Sequence, residues 1–213
     1  MNVLVACEES QRVCVAFRAK GHNAFSCDII DCSGGHPEWH IKQDVLPLLN
    51  GRCEFTTCDG ELHTISGKWD LIIAHPPCTY LSNAGARFLY PKGVLNEERL
   101  QKGLEAKEFF MALYNADCEK ICVENPIPSK VYELPHYSQI VQPYEHGHPF
   151  KKKTCLWLKG LPLLKPTNIV EERESTKIAG NWYNKGGKDR QRNRAKTFPG
   201  IAAAMAEQWG GTV

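Results

Sequence analysis

Short apolar runs alternate along this chain with stretches of helical spacing, and this alternation limits the possible folds more than any other feature. The apolar runs cover residues 3–7, 24–27, 41–45, 71–74 and 121–123. Helical patterns cover residues 11–20 and 97–113, and an alanine-rich pattern covers residues 200–209. Parallel strands need long crossover connections, which are usually helices. The sequence therefore predicts an α/β fold with a mostly parallel sheet and helices on both faces.

The length of 213 residues indicates one domain spanning residues 1–213. Residues 53–68 resemble a small hairpin, with a turn at Asp59-Gly60, inserted before the fourth strand. No apolar run approaches the roughly 18 residues that cross a bilayer, and no signal peptide is visible at the start. The ten cysteines are expected to be free thiols, as in a cytoplasmic protein.

Polar and acidic residues follow the first three predicted strands. In open α/β sheets, ligands bind beyond the carboxyl ends of the strands, where an acidic side chain can accept hydrogen bonds from ribose hydroxyls. This register predicts a cofactor that contains a nucleoside. For each acidic residue, a role as a helix cap or turn former stays open. The residues concerned are Cys7, Glu8, Glu9 and Ser10 after the first strand, Asp28 after the second, and Gln43, Asp44 and Val45 at the third.

The fourth strand leads into His75-Pro76-Pro77-Cys78, and Ser82 follows shortly after. Two prolines stiffen the backbone, so the loop projects the next residue in a defined direction. A cysteine in this place is a candidate nucleophile, although a lone cysteine is more often structural.

The fifth strand leads into Glu124-Asn125-Pro126. A carboxyl group and an amide at a strand end can donate and accept protons at the edge of a heterocyclic base. The alternative is a loop that caps the next element.

Pro77-Cys78 after the fourth strand and Glu124-Asn125 after the fifth resemble, in that order, the cytosine-5 DNA methyltransferases. Residues 32–40, 74–83, 153–158 and 197–202 resemble the short phage and prophage-type members, so the resemblance covers nearly the whole chain. It implies a Rossmann-like fold that uses S-adenosylmethionine, and a bacterial or phage-infected cytoplasm.

The resemblance also implies the chemistry. Cys78 would attack carbon 6 of a cytosine flipped from duplex DNA, and Glu124 would protonate or hydrogen-bond ring nitrogen 3. The methyl group of S-adenosylmethionine would then pass to carbon 5. By this reading the cofactor is held by Cys7, Glu8, Ser10, Asp28, Ile29, Asp44, Val45 and Pro76, and the substrate by Pro77, Ser82, Asn125 and Lys153.

Three departures from the family affect recognition. The first loop, residues 7–11, contains no glycine, so the backbone is expected to approach a cofactor less closely. Lysines 151–153 stand where the family has arginines. Residues 159–196 give only a reduced target-recognition region. A homodimer or a protein partner is therefore a candidate source of target recognition.

Two other functions and a metal site are alternatives. His75-Pro76-Pro77-Cys78 also resembles, imperfectly, the loop of enzymes that methylate the amino group of cytosine N4 or adenine N6. A degenerate module could instead bind nucleic acid through the basic residues between Lys185 and Lys196, with Trp182 and Tyr183 as stacking platforms. Cys53, Cys58 and His63 lack the usual spacing of a zinc site, and no metal is expected.

Overall fold

The computed structural model describes residues 1–175 and 190–211, and its strands and helices alternate as the sequence indicates. The strands are β1 (Asn2–Ala6), β2 (Asn23–Asp28), β3 (His40–Lys42), β4 (Cys53–Thr56), β5 (Leu62–Ile65), β6 (Leu71–Ala74), β7 (Ile121–Pro126), β8 (Gln139–Val141), β9 (Phe150–Lys151), β10 (Thr154–Lys159) and β11 (Glu174–Ser175). The helices are α1 (Arg12–Ala19), α2 (Asn83–Ala86), α3 (Glu97–Tyr114), α4 (Arg190–Ala195) and α5 (Pro199–Trp209).

Seven strands form one sheet in the order β3-β2-β1-β6-β7-β10-β8. The pairs from β3 through β7 are parallel, whereas β10 runs antiparallel to both of its neighbours. The strand order reverses between β1 and β6, and in doubly wound sheets such a reversal opens a crevice at the carboxyl edge. The predicted α/β, Rossmann-like fold with a mostly parallel sheet is confirmed.

Alternate residues of each strand enter two separate hydrophobic cores. Val3 and Val5 of β1 pack in the core that contains buried residues of α1 and α5, whereas Leu4 and Ala6 pack in the core that contains buried residues of α3. This alternation follows from the two-residue repeat of a strand. Helices therefore cover both faces, as predicted.

Strand β7 is longer than its apolar residues indicate. The sequence places Glu124 after the strand, yet β7 continues to Pro126. Strand β6 pairs with β7 only as far as Val123, whereas β10 pairs with it as far as Pro126. The antiparallel partner therefore keeps the backbone extended after the parallel partner has ended. Glu124 and Asn125 lie within the strand, and this corrects the predicted boundary.

Other differences concern short elements. Strand β3 ends at Lys42, so the stretch from Gln43 to Val45 that the sequence assigns to it is not extended strand but an irregular, bent segment. Strands β4 and β5 pair antiparallel with each other in a separate two-stranded sheet. The hairpin is attached to the core because Phe55 and Ile65 are buried beside Trp69.

Residues 176–189, including Trp182, Tyr183, Lys185 and Lys188, lie outside the described residues. Within the described ranges, no helix is both long and apolar enough to cross a membrane.

Helix α3 has a glycine where it crosses a buried ring. A Cβ atom on Gly103 would lie 2.2 Å from two ring atoms and the hydroxyl oxygen of Tyr132, which is itself buried. We expect Gly103→Ala to lower the free energy of unfolding by about 1–3 kcal/mol, despite the better helix propensity of alanine, because the ring must move. Urea denaturation measures the change.

The control for this variant is Gly67→Ala, since a Cβ at Gly67 meets no atom within 4 Å. Its stability should stay within about 0.5 kcal/mol of the wild type. Equal stability of the two variants would contradict the close packing of α3 on Tyr132.

Candidate active site

The carboxyl ends of the central strands place the candidate residues in one row. Ala6 of β1 pairs with Ala74 of β6, and Ala74 pairs with Val123 of β7. The residues that follow directly are Cys7, His75 and Glu124. The backbone N–H of His75 still donates to the carbonyl of Ala6 at 2.9 Å, so the row persists one residue beyond the β1–β6 ladder.

A side-chain hydrogen bond anchors the loop that carries Cys78. Asn125 Nδ2 donates to the carbonyl oxygen of Pro76 at 3.0 Å, and Asn125 is only 1% exposed. The N–H of Ser82 donates to the carbonyl of Cys78 at 3.0 Å and closes the next turn. Pro76 and Ser82 are buried, whereas Pro77 and Cys78 are exposed. The loop therefore holds Cys78 at the surface on a fixed base.

Helix α3 braces the same loop from the other side. Arg99 donates from Nη2 to the carbonyl of Thr79 at 3.0 Å and to the carbonyl of Gly85 at 3.2 Å. Its guanidinium also lies 5.0 Å from the centre of the Tyr80 ring and 5.3 Å from that of Phe88. Neither contact was expected from the sequence.

His75 is the residue of the site that the sequence did not single out as functional. Its Nδ1 lies 3.0 Å from Glu124 Oε2, and the two side chains are only 8% and 15% exposed. Its place in the row could have indicated a functional role. His75 is the first residue after β6, and it lies opposite Glu124, the first residue of β7 that β6 leaves unpaired. The structure therefore joins Glu124 to a histidine.

Lys152, and not Lys153, brings a positive charge to the site. The electrostatic interactions of Lys152 include those with Glu124, His75 and Cys78, and its Nζ donates to the carbonyl of Arg194 at 3.0 Å. Lys153 is exposed, and the interaction found for it is with the thiol of Cys155, which is in β10. Lys152 is therefore a second candidate for the substrate contact that the sequence assigns to Lys153.

The charges of the site act on one another. Burial by itself would lower the pKa of His75, but the hydrogen bond and charge of Glu124, helped by Glu8, raise that pKa above its usual value. Burial works against ionisation of Glu124, yet His75 and then Lys152 hold its pKa below the usual value. The charge of each group therefore favours ionisation of the other.

The thiol of Cys78 is set among protein atoms although the residue reaches the surface. Desolvation first, and the charge of Glu124 second, raise the pKa of Cys78, while Lys152 and Arg194 oppose the increase. A neighbouring base or the arrival of substrate is needed to increase the thiolate fraction.

The first loop reaches its shape without glycine. Cys7 and Gln11 both adopt left-handed backbone conformations, with φ of 59° and 58°. The Gln11 side chain holds this shape, since Nε2 donates to the carbonyl of His36 at 2.8 Å and Oε1 accepts from its N–H at 3.0 Å. Such strained positions in a loop are common at functional sites.

Glu8 is hydrogen-bonded to the first turn of helix α1. Its two carboxylate oxygens accept from the N–H groups of Val13 at 2.7 Å and Cys14 at 3.1 Å. Glu8 and Ser10 are buried. Glu8 therefore stabilises the start of the helix, and its charge also reaches His75.

Cys7, Asp28 and Asp44 form a second group at the same edge. Burial, followed by the charges of Asp28, Cys27 and Asp44, raises the pKa of the Cys7 thiol. Asp28 Oδ1 accepts from the N–H of Ile30 at 3.4 Å, and Asp44 Oδ1 from the N–H of Leu46 at 3.1 Å. Both aspartates are thus turn formers, the alternative that the sequence left open. Asp28 is half-buried and Asp44 is exposed, so both are accessible to a ligand as well.

Ile29 and Val45 differ in their surroundings. Ile29 is 73% exposed beside Asp28, whereas Val45 is buried in the core. The structure brings Ile29, Asp28 and Asp44 to one edge and gives Val45 a packing role.

The segment before α5 closes this edge. Arg12 of α1 donates from Nη1 to the carbonyl of Thr197 at 2.7 Å, and Lys196 Nζ donates to Ser33 Oγ at 3.0 Å.

All ten cysteines are free thiols. In the part of the chain that the structure describes, no three histidine, cysteine or acidic side chains come together as metal ligands. His63 of the hairpin contacts Thr57 Oγ1 at 3.2 Å instead.

Comparison with known proteins gives structural likeness alone. No family model matches the chain, and no curated protein sequence matches it. A protein of an E. coli prophage, assigned as a DNA modification methyltransferase, is 15% identical, with 87% of this chain and 56% of that chain covered and a TM-score of 0.44. The Entamoeba histolytica methyltransferase EhMeth is 13% identical, with 82% of this chain and 57% of that chain covered and a TM-score of 0.45. The S. pombe Dnmt2 methyltransferase is 14% identical, with 88% of this chain and 57% of that chain covered and a TM-score of 0.40. The chain spans just over half the length of each.

The charges around Cys78 predict how fast it is alkylated. Glu124→Gln removes a charge that raises the pKa of Cys78, so reaction with iodoacetamide at a mildly alkaline pH should become about threefold faster, as for a pKa lower by about half a unit. Lys152→Met removes an opposing charge and should slow the reaction by a similar factor. Peptide mass spectrometry measures the rate at each cysteine.

Cys58, which is also exposed, is the internal control, because neither residue is among the groups that act on its pKa. Its rate should be the same in all three proteins. Unchanged rates at Cys78 would show that these charges do not reach the thiol.

Proposed function

We propose that this protein is an S-adenosylmethionine-dependent methyltransferase that methylates carbon 5 of cytosine in DNA through a covalent adduct with Cys78. One observation carries the proposal: the cysteine on the rigid Pro-Pro loop after β6 and the largely buried Glu124 of the adjacent strand β7 interact electrostatically. A nucleophile and a proton donor on one edge are what addition to a cytosine ring requires.

Cys78 is the nucleophile in this proposal, since it is exposed at the tip of the loop and its thiolate attacks carbon 6. Glu124 donates a proton or a hydrogen bond to ring nitrogen 3, which draws electrons from carbon 6. A cytosine in a duplex is reached only after it is flipped out of the helix.

The remaining substrate residues act mainly through the loop. Asn125 holds Pro76 through its hydrogen bond, Ser82 closes the turn, and Pro77 restricts the backbone directly before Cys78. Lys152 is the proposed cation for the base or a phosphate, with Lys153 as the exposed alternative.

The second group fits a nucleoside-containing cofactor. Asp28 and Asp44 present carboxylates at the carboxyl edge, and the exposed Ile29 offers an apolar surface to an aromatic base. S-adenosylmethionine, when bound, supplies the methyl group to carbon 5. Cys7, Glu8, Ser10, Val45 and Pro76 shape the site from beneath, through backbone position and packing.

The part of the chain proposed to recognise the target sequence is small. We propose that residues 1–213 act as a single catalytic domain, with residues 159–196 as a small recognition region. A second copy of the chain or a protein partner would add specificity. The proposed location is the cytoplasm of a bacterium or of a phage-infected cell, where DNA is accessible.

A DNA duplex that contains 5-fluorocytosine tests the proposal directly. Fluorine at carbon 5 blocks the final elimination, so wild-type protein with S-adenosylmethionine should form a covalent complex that survives a denaturing gel. Cys78→Ala should form none, because the nucleophile is absent. Cys58→Ala, which removes another exposed cysteine, should retain the complex.

Three results would lead to other conclusions. Methylation of amino groups that persists in Cys78→Ala would establish the amino-methyltransferase alternative. DNA binding without methyl transfer would establish the binding module. Adducts on RNA but not on DNA of varied sequence would change the substrate while retaining the chemistry.

Cofactor binding is tested separately by isothermal titration calorimetry with S-adenosylmethionine. Asp28→Asn should weaken binding about tenfold to a hundredfold, as expected for the loss of a charge-assisted hydrogen bond of about 1.5–3 kcal/mol. Asp117→Asn is the matched control, because Asp117 is exposed and pairs with Lys68 just before β7 begins. Equal affinity of both variants would remove Asp28 from the cofactor site.

A further inference from the structure

We propose that His75 is a positioning residue that orients the Glu124 carboxyl group and shares with it the proton that the cytosine ring requires. This inference rests on the proposed function and adds a residue to which the resemblance gives no role. Its basis is the arrangement of His75, Glu124 and the groups around them.

The backbone on either side of the His75 side chain is held by hydrogen bonds. The N–H of His75 is bound to the carbonyl of Ala6, and the next residue, Pro76, is anchored by Asn125. The side chain is 8% exposed, and Nδ1 lies 3.0 Å from Glu124 Oε2. Such a contact sets the direction of the carboxyl group, since both the neutral Nδ1–H tautomer and the imidazolium can donate to Oε2.

The contact leaves the second oxygen of Glu124 for the substrate. Among the residues that the structure describes, no hydrogen-bond donor reaches Oε1, while Oε2 is taken by His75. A base that approaches from the Cys78 side therefore meets a carboxyl group of fixed orientation with one oxygen free. Geometry of this kind is what a general acid requires before its pKa is considered.

The groups around the pair can hold a proton on it. His75 faces Glu8 from the loop after β1, Glu124 from β7 and Lys152 from the connection between β9 and β10. Arg12 of α1 acts on Glu8 and on Lys152. His75 Nε2 is buried and has no hydrogen-bond partner within the described residues. Because His75 and Glu124 are in contact, they titrate as one unit, and the last proton belongs to the pair.

The proton balance of the addition step follows. The Cys78 thiolate forms the S–C6 bond, the electron pair of the C5–C6 double bond moves to C4–C5, and that of C4–N3 moves onto N3. N3 takes the one proton that the pair shares, in the form in which this proton lies on Glu124 Oε1 and His75 is neutral. The pair is left as neutral His75 and the Glu124 carboxylate. When the adduct breaks down, N3 returns the proton to Glu124.

A substitution separates the two roles of His75. His75→Asn places an amide N–H near the position of Nδ1 and keeps a donor for Oε2, but it cannot titrate. In the wild type, the His75–Glu124 pair can place its last proton on either group. The pair therefore loses this proton at a higher pH than Glu124 does in His75→Asn, where its neighbour is a neutral amide. The variant should therefore function at acidic pH and fail earlier as the pH rises.

The experiment is the rate of adduct formation on 5-fluorocytosine DNA in a single turnover, from about pH 6 to about pH 9, a range that brackets an ordinary or raised histidine pKa. The ratio of the His75→Asn rate to the wild-type rate cancels the titration of Cys78 itself. We expect a ratio near one at the acidic end and a fall of about tenfold by about pH 8.5, which corresponds to about one pH unit. A ratio that is constant with pH would overturn proton sharing and leave a structural role.

A second measurement keeps the inference testable if wild-type protein forms no adduct, the outcome that contradicts the proposed function. NMR titration of the His75 ring protons in the free protein should give a pKa above the usual value of about 6.5. Glu124→Gln should lower it, because the carboxylate that raises it is gone. An unchanged His75 pKa in Glu124→Gln would overturn the coupling, whatever the activity.

Discussion

The antiparallel pairing of β10 with β7 is the interaction on which the site depends. Strand β6 leaves β7 after Val123, and an edge without a partner would ordinarily turn away as a loop. Pairing with β10 keeps β7 extended to Pro126 and carries Glu124 and Asn125 past the end of β6. The open side of β7 then faces the loop that begins at His75. One carboxyl group and one amide are thereby brought beside the loop, on the side opposite to the Arg99 contacts.

These two neighbours act on the loop in different ways. Asn125 supplies a mechanical restraint, since a buried amide that donates to the Pro76 carbonyl is costly to remove from its partner. Glu124 supplies charge, balanced by His75 on one side and Lys152 on the other. Partly buried charges interact strongly because water screens them poorly. Position and protonation at the loop are therefore set by adjacent residues of one strand.

Much of this arrangement could be predicted from the sequence. The apolar runs located β1, β2, β6 and the first half of β7, and the residues that follow each run lie at one edge, because parallel strands share a direction. The His75–Glu124 contact could not be predicted, since it depends on the lateral register of β6 against β7. The charge of Lys152 depends on which of three successive lysines turns inward, and apolar periodicity carries no information on that. Strands of two or three residues, such as β8 and β9, give too few residues for a pattern.

The glycine-free first loop has a consequence for the energetics of ligand binding. Glycine would allow the left-handed conformations of Cys7 and Gln11 without strain, but it would also leave the unfolded chain with more freedom to lose. Here the backbone shape is maintained by the bonds of Gln11 to the backbone of His36. A loop already ordered in this way loses little further entropy when a ligand arrives. This edge of the sheet is thus preorganised, so it favours ligands that fit its existing shape over ligands that would require the loop to rearrange.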